Sequence, residues 1–206
     1  MSDLTLTLIA FGGILGLFGL VTVWMIRSGS GYATTRTVKF VAMLRETGID
    51  LQATDKPHLF QATVRNRALT VCFWEDHADA DLTIRLDAAV RNPKGYQFAV
   101  LPSNPLAKMI SGLTVPATKT TSGDAQFDRQ VTVASTPPDL AARILQPRLK
   151  LRGRLMATRQ RALSVNQEHV VLYPNVQDER TIAPDDWKRW VMIVLEVAQA
   201  IEDQSG

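Results

Sequence analysis

Charge is missing from one long stretch of this 206-residue sequence, and cysteine from nearly all of it. The lone thiol, Cys72, cannot make an internal disulfide, so cysteine usage gives no sign of an oxidising compartment. There is no paired His-x-x-x-His or Cys-x-x-Cys, no glycine-rich phosphate loop, no nucleophile elbow and no His-Glu-x-x-His. His58, His77 and His169 lie far apart in sequence, so no triad is readable and no catalytic residue, metal or cofactor is assigned. The most metal-like segment, Glu75-Asp76-His77-Ala78-Asp79-Ala80-Asp81, lacks the glycine and distal glutamate of a calcium loop. It reads as an acidic turn between two strands.

The uncharged stretch is Leu4 to Ile26. As a helix it would be roughly 34 Å long, enough for the ~30 Å hydrocarbon core of a bilayer. Its apolar residues occur all the way round, so it predicts a lipid-facing span rather than a helix with one buried face. A cleavable secretory signal would need a basic leader, a shorter run and small residues before the cut; this run offers Asp3 ahead of it and Trp24-Met25-Ile26-Arg27 at its end. A retained signal-anchor is the expectation. No Lys or Arg precedes the span, whereas Arg27, Arg36, Lys39 and Arg45 follow it. Basic residues stay on the cytoplasmic side, which predicts that the remaining chain lies at the cytoplasmic face of the inner (cytoplasmic) membrane. Gly12, Gly16 and Gly19 line part of one face of the span; they suit close pairing with a second helix, or simply reflect how common glycine is in membrane helices.

The expected organisation is an anchor over 1–27, a Gly/Ser-rich linker over 28–35 and a single domain over 36–206. Thr37, Phe40, Val41 and Leu44 recur at helical spacing, with Gly48 placed to end that helix. From Phe60 the period changes to two, and Arg65-Asn66-Arg67 interrupts a hairpin. Leu82, Ile84, Leu86 and Ala88 alternate with polar neighbours, predicting a strand with one wet face. Asn92-Pro93-Lys94-Gly95 is a type I turn, after which Tyr96, Phe98 and Val100 should return beside that strand to complete an antiparallel meander. Residues 102–126 show no clear element and read as a functional loop. Thr136-Pro137-Pro138-Asp139 predicts a helix start capped by the Thr136 hydroxyl, with Leu140, Ile144 and Leu145 facing inward and a kink or restart at Pro147. A further hairpin over 163–172 precedes a closing helix from Pro184, in which Trp187, Trp190, Val191, Val194, Ala198 and Ile201 share one face. The sum is an α+β fold, a mostly antiparallel sheet covered by helices.

The segment Ser122-Gly123-Asp124-Ala125-Gln126-Phe127-Asp128, with the anchor, the following strand, the Pro-rich helix start and the closing helix, resembles a loose group of uncharacterised bacterial single-pass proteins. That group carries a T-G-D-x-x-F-D stretch, and this chain departs from it at Ser122. The resemblance implies an architecture and no activity. On turn chemistry, Gly123 permits a tight bend, Asp124 and Asp128 bond nearby amides, and Phe127 plugs the core.

Between Arg143 and Arg161 there is no acidic residue. Arg148, Lys150, Arg152, Arg154 and Arg159 form a run suited to anionic lipid or an acidic partner subunit, or else a solvated helix flank balanced by acids at 75–87 and 178–186. The run contains no aromatic residue and the net charge is only +3, which argues against nucleic acid. These readings converge on a membrane-anchored, non-enzymatic interaction domain, an accessory or stabilising subunit of a larger membrane complex. The alternative is an enzyme or ligand binder that uses the loop over 102–128.

Overall fold

The computed structural model describes residues 39–56, 58–75, 82–102, 113, 115–157, 162–174 and 182–206. The chain divides into two units, Met1–Phe40 and Val41–Gly206; the first contributes only residues 39 and 40 to the described structure, and the fold is that of the second. The 4–26 run, with Gly12, Gly16 and Gly19, lies outside the described residues, as does Arg159. Among the described residues no helix is long and apolar enough to cross a membrane.

A helix, α1, covers 39–46 and stops where the sequence signals it: Gly48 has φ +82°, and the Ile49 amide donates back to the Leu44 carbonyl at 3.2 Å. Nine antiparallel strands follow, interleaved with four more helices: β1 (Gln52–Ala53), β2 (Leu59–Val64), β3 (Arg67–Glu75), β4 (Leu82–Ala89), β5 (Gln97–Pro102), β6 (Lys119–Thr120), α2 (Ala125–Gln130), β7 (Val131–Thr136), α3 (Leu140–Leu145), α4 (Leu149–Ala157), β8 (Ala162–Val165), β9 (His169–Tyr173) and α5 (Pro184–Ser205). The strands form one sheet in the order β1-β2-β3-β4-β9-β8-β5-β7-β6. The α+β class read from the sequence is the observed one.

Local pairings follow the sequence. The turn between β2 and β3 holds Arg65 at φ 52° and Asn66 at φ 61°, the double positive φ of a type I′ hairpin. In β4, Ile84, Leu86 and Ala88 are buried while Thr83, Arg85 and Asp87 are partly exposed, as the alternation predicts. The Asn92–Gly95 turn closes with a 3.0 Å bond from the Gly95 amide to the Asn92 carbonyl, and the Asn92 side chain ties it to Tyr96 and Asn166.

The meander does not extend to β5. That strand pairs with β7 and β8, and the β8–β9 hairpin lies between it and β4. The physical reason is burial: Phe98, Ala99, Val100 and Leu101 are all shielded, so both faces of β5 need cover and neighbours on both sides. β4, with one wet face, lies fourth in the sheet between β3 and β9, and β5 lies third from the other end. The 102–126 region is more ordered than expected, with Pro102 in β5, β6 at Lys119–Thr120 and α2 starting at Ala125; 103–112 and 114 lie outside the described residues.

The start of α3 also differs from expectation. Thr136 belongs to β7, and the Ala141 amide donates instead to Ser135 Oγ at 3.3 Å, while that hydroxyl bonds the Pro137 and Pro138 carbonyls. The N-cap residue of α3 is Asp139, without a side-chain bond of its own, and Ser135 on the strand, rather than Thr136, takes the Ala141 amide. Pro147 separates α3 from α4 as expected.

Strand register places Phe73, Leu86, Leu172, Leu163 and Val100 on one face of the sheet. The closing helix α5 covers that face at β4 and β9. Phe73 meets Trp187 edge-on at 6.0 Å between ring centroids, and Trp187 meets Trp190 at 5.0 Å. Trp187→Ala should therefore destabilise the domain by about 3–5 kcal/mol, read as a lowered urea midpoint with an unchanged slope.

Candidate functional site

The SGDAQFD segment is a joint between helices. Asp124 caps α2, accepting from the amides of Gln126 at 2.9 Å and Phe127 at 3.1 Å. Asp128 accepts from the Ser122 amide at 2.9 Å, the Ser122 hydroxyl accepts from the Asp124 amide, and Phe127 is fully buried. Gly123 has φ +83°, and a Cβ there would overlap the side-chain amide of Gln146. The Phe127 amide, with that of Gln126 and the Arg152 charge, holds the Asp124 carboxyl below the usual aspartate range. Ser122, Asp124 and Asp128 are thus engaged in holding α2 in place.

Among the described residues, three arginines of the basic run have carboxylate partners outside 75–87 and 178–186. Arg152 pairs with Asp124 at 3.4 Å, Arg148 with Asp203 at 2.8 Å, and Arg154 with Glu196. Since 148 meets 203 and 154 meets 196, α4 runs antiparallel to α5. These part-exposed pairs set the register of the two helices more than they stabilise it. Lys150 is exposed and, among the described residues, makes no ion pair; beside it Leu149 is 69% exposed.

On the other face of the sheet Cys72 stands across from Arg85, which donates to Asp87 at 2.8 Å, with Tyr173 alongside. Burial pushes the Cys72 thiol up against the opposing pull of Arg85, so the thiolate is disfavoured and the residue is a packed side chain rather than a nucleophile. Among the described residues no three His, Cys, Asp or Glu side chains gather as a metal site.

A groove of about 510 Å³ opens between the β2–β3 turn and α5. Ala68, Ala89, Val90 and Leu195 line it, with Arg65, Asn66, Arg67, Arg91, Glu196, Gln199 and Glu202 at its walls. Arg67 donates to both oxygens of Glu202, to Gln199 and to the Ala89 carbonyl, and the Arg91 amide also donates to Glu202 at 2.9 Å. The Arg67 hydrogen bonds hold the Glu202 carboxyl below the usual glutamate range. The two grooves whose walls are described include no residue of 102–128. Sequence reasoning missed this groove because its walls come from three segments up to 137 positions apart, Arg65 and Glu202 being the extremes. The only local signal was an arginine at a hairpin turn.

Gly123→Ala should cost more than 1 kcal/mol, since it meets both a left-handed backbone and the Gln146 side chain; a thermal melt reads the loss. For Glu202, whose value is lowered on folding, the stabilisation is complete above the ordinary glutamate value and is lost as pH falls through the lowered one. Glu202→Gln should accordingly be less stable than the parent at neutral pH and lose less stability on acidification, as followed by urea unfolding across an acid pH series.

No family model matches the chain, and neither does any curated protein. Among solved structures, the mycobacterial trehalose monomycolate transport factor A, TtfA, is similar with a TM-score of 0.54 at 12% identity, over 81% of this chain and 94% of that one. At that identity the likeness is one of fold.

Proposed function

We propose that this chain is a membrane-anchored interaction domain without enzymatic activity, an accessory or stabilising subunit of a larger membrane protein complex. The observation that carries the reading is the uncharged run from Leu4 to Ile26, long enough for a bilayer, with Arg27, Arg36, Lys39 and Arg45 after it, which supports a single span and a domain at the cytoplasmic face. The same run and the SGDAQFD segment are what the resemblance to bacterial single-pass proteins rests on. Two further observations support the reading. The described polar clusters are engaged in internal pairs and caps rather than converging on a reacting atom. The protein of similar fold, TtfA, is itself named as a transport factor.

Contacts then divide between two regions. Gly12, Gly16 and Gly19 provide the close-packing face for a partner helix in the bilayer, and the domain surface meets the partner outside it. Of the basic run, Arg148, Arg152 and Arg154 have carboxylate partners within the fold, so lipid contact falls to Lys150 and Arg159.

Membranes isolated from the native bacterium should retain the chain through alkaline carbonate washing, and mild-detergent purification of a tagged chain should return stoichiometric companion subunits. Recovery of free monomer alone, of a chain soluble without detergent, or of a domain cleaved by protease only from the outside would overturn this function.

A further inference from the structure

The groove beside the β2–β3 turn holds more positive charge than the fold consumes. Four guanidiniums, those of Arg65, Arg67, Arg91 and Arg154, stand at or behind its walls against two carboxylates, Glu196 and Glu202. Arg67 is bound to Glu202 and Arg154 to Glu196. Arg65 and Arg91 are both exposed and, among the described residues, neither has an ion pair of its own. Two cations are therefore left over one small cleft.

The position of Arg65 is informative in itself. It occupies φ 52° in a two-residue turn, where glycine, asparagine or aspartate is favoured and a long side chain costs roughly 1–2 kcal/mol. Turn chemistry accounts for Asn66 but not for Arg65. Strained residues of this kind gather at ligand contacts, and here the strain fixes a guanidinium beside the cleft opposite α5. Between the cations lies an apolar floor of Ala89, Val90 and Leu195, flanked by the exposed Ala68. The pattern is that of surfaces that read acidic motifs: arginines for the carboxylates and a shallow floor for one apolar side chain.

We propose that this groove docks a short acidic segment of a partner protein, with its carboxylates on Arg65 and Arg91 and an apolar side chain on Val90 and Leu195. The volume lies within the ~300–1,000 Å³ of sites that enclose a small ligand, so it accommodates a few residues rather than a broad interface. Arg67 acts as a positioning residue: its bonds to Glu202, Gln199 and the Ala89 carbonyl hold the turn against α5 and engage both oxygens of Glu202, whose charge Arg91 also feels. The proposal rests on the reading of the chain as an interaction subunit.

The test uses the full chain in mild detergent and two peptides carrying the same dye, Glu-Glu-Leu-Glu-Glu-Leu and its glutamine counterpart, followed by fluorescence anisotropy. The acidic peptide should bind at least about ten-fold more tightly than the glutamine one. Arg65→Glu with Arg91→Glu should abolish that preference; because Arg91 lies in the field of Glu202, Arg65→Gln with Arg91→Gln, which adds no carboxylate beside it, should also abolish the preference while the chain still melts cooperatively. Equal affinity for the two peptides, or a preference that survives the double reversal, would overturn the proposal. So would displacement of the acidic peptide by glycerol phosphate as effectively as by unlabelled peptide, since the groove would then be a phosphate site. If companion subunits co-purify equally with the parent and the double variant, the groove assignment fails and the interaction reading stands. If the peptide preference holds but no subunit is found, the reverse is true.

Discussion

The fold depends on the burial of one face of the sheet beneath the last helix. Phe73, Leu86, Leu172, Leu163 and Val100 come from strands far apart in sequence, and α5 lies on that face through Trp187, Trp190, Val191 and Val194. Each of these side chains is almost completely removed from water, which is worth about 1.5–3 kcal/mol per large residue. No surface ion pair in the domain approaches that sum. The ion pairs and caps have a different part, which is to decide how the helices are turned and spaced once the apolar face has drawn them together.

That division explains why the charged features of this chain read ambiguously in one dimension. The run from Arg143 to Arg161 contains no acid of its own, yet α5 presents Glu196 and Asp203 at a seven-residue spacing, on one side of the helix, and Arg154 and Arg148 meet them. Asp124, which caps α2, also takes Arg152. The adjoining side of α5 presents Gln199 and Glu202 to Arg67 in the wall of the groove, and Gln199 also donates to Asp203 at 2.8 Å. A single helix thus pairs with arginines from two separate parts of the chain, and Arg65, Arg91 and the exposed Lys150 are among the described cations left without an ion pair.

The elements with short-range signals were legible. The period of two in β4, the turn at Asn92–Gly95, the stop at Gly48, the structural part of Gly123, Asp124, Phe127 and Asp128, and the apolar stripe of α5 all follow from neighbours within a few positions. Boundaries that depend on two competing hydroxyls did not: Ser135 and Thr136 are equally good acceptors, and it is Ser135 that takes the Ala141 amide. Strand order was also out of reach, because alternation says which way side chains point and not which strand lies alongside.

What the sequence determined by itself is therefore local and solvent-driven: the α+β class, the position of nearly every strand and helix, and an uncharged run whose chemistry suits oil. Tertiary structure alone decided that the β8–β9 hairpin would lie between β4 and β5, which acids would meet which arginines, and that a cleft would form where Arg65, Arg91 and Leu195 converge. The reason is range. Backbone preference and hydrophobic period act over a few residues and are written in order along the chain, whereas burial of both faces of a strand, and the pairing of charges across 42 or 55 positions, exist only after the sheet has closed under its helix.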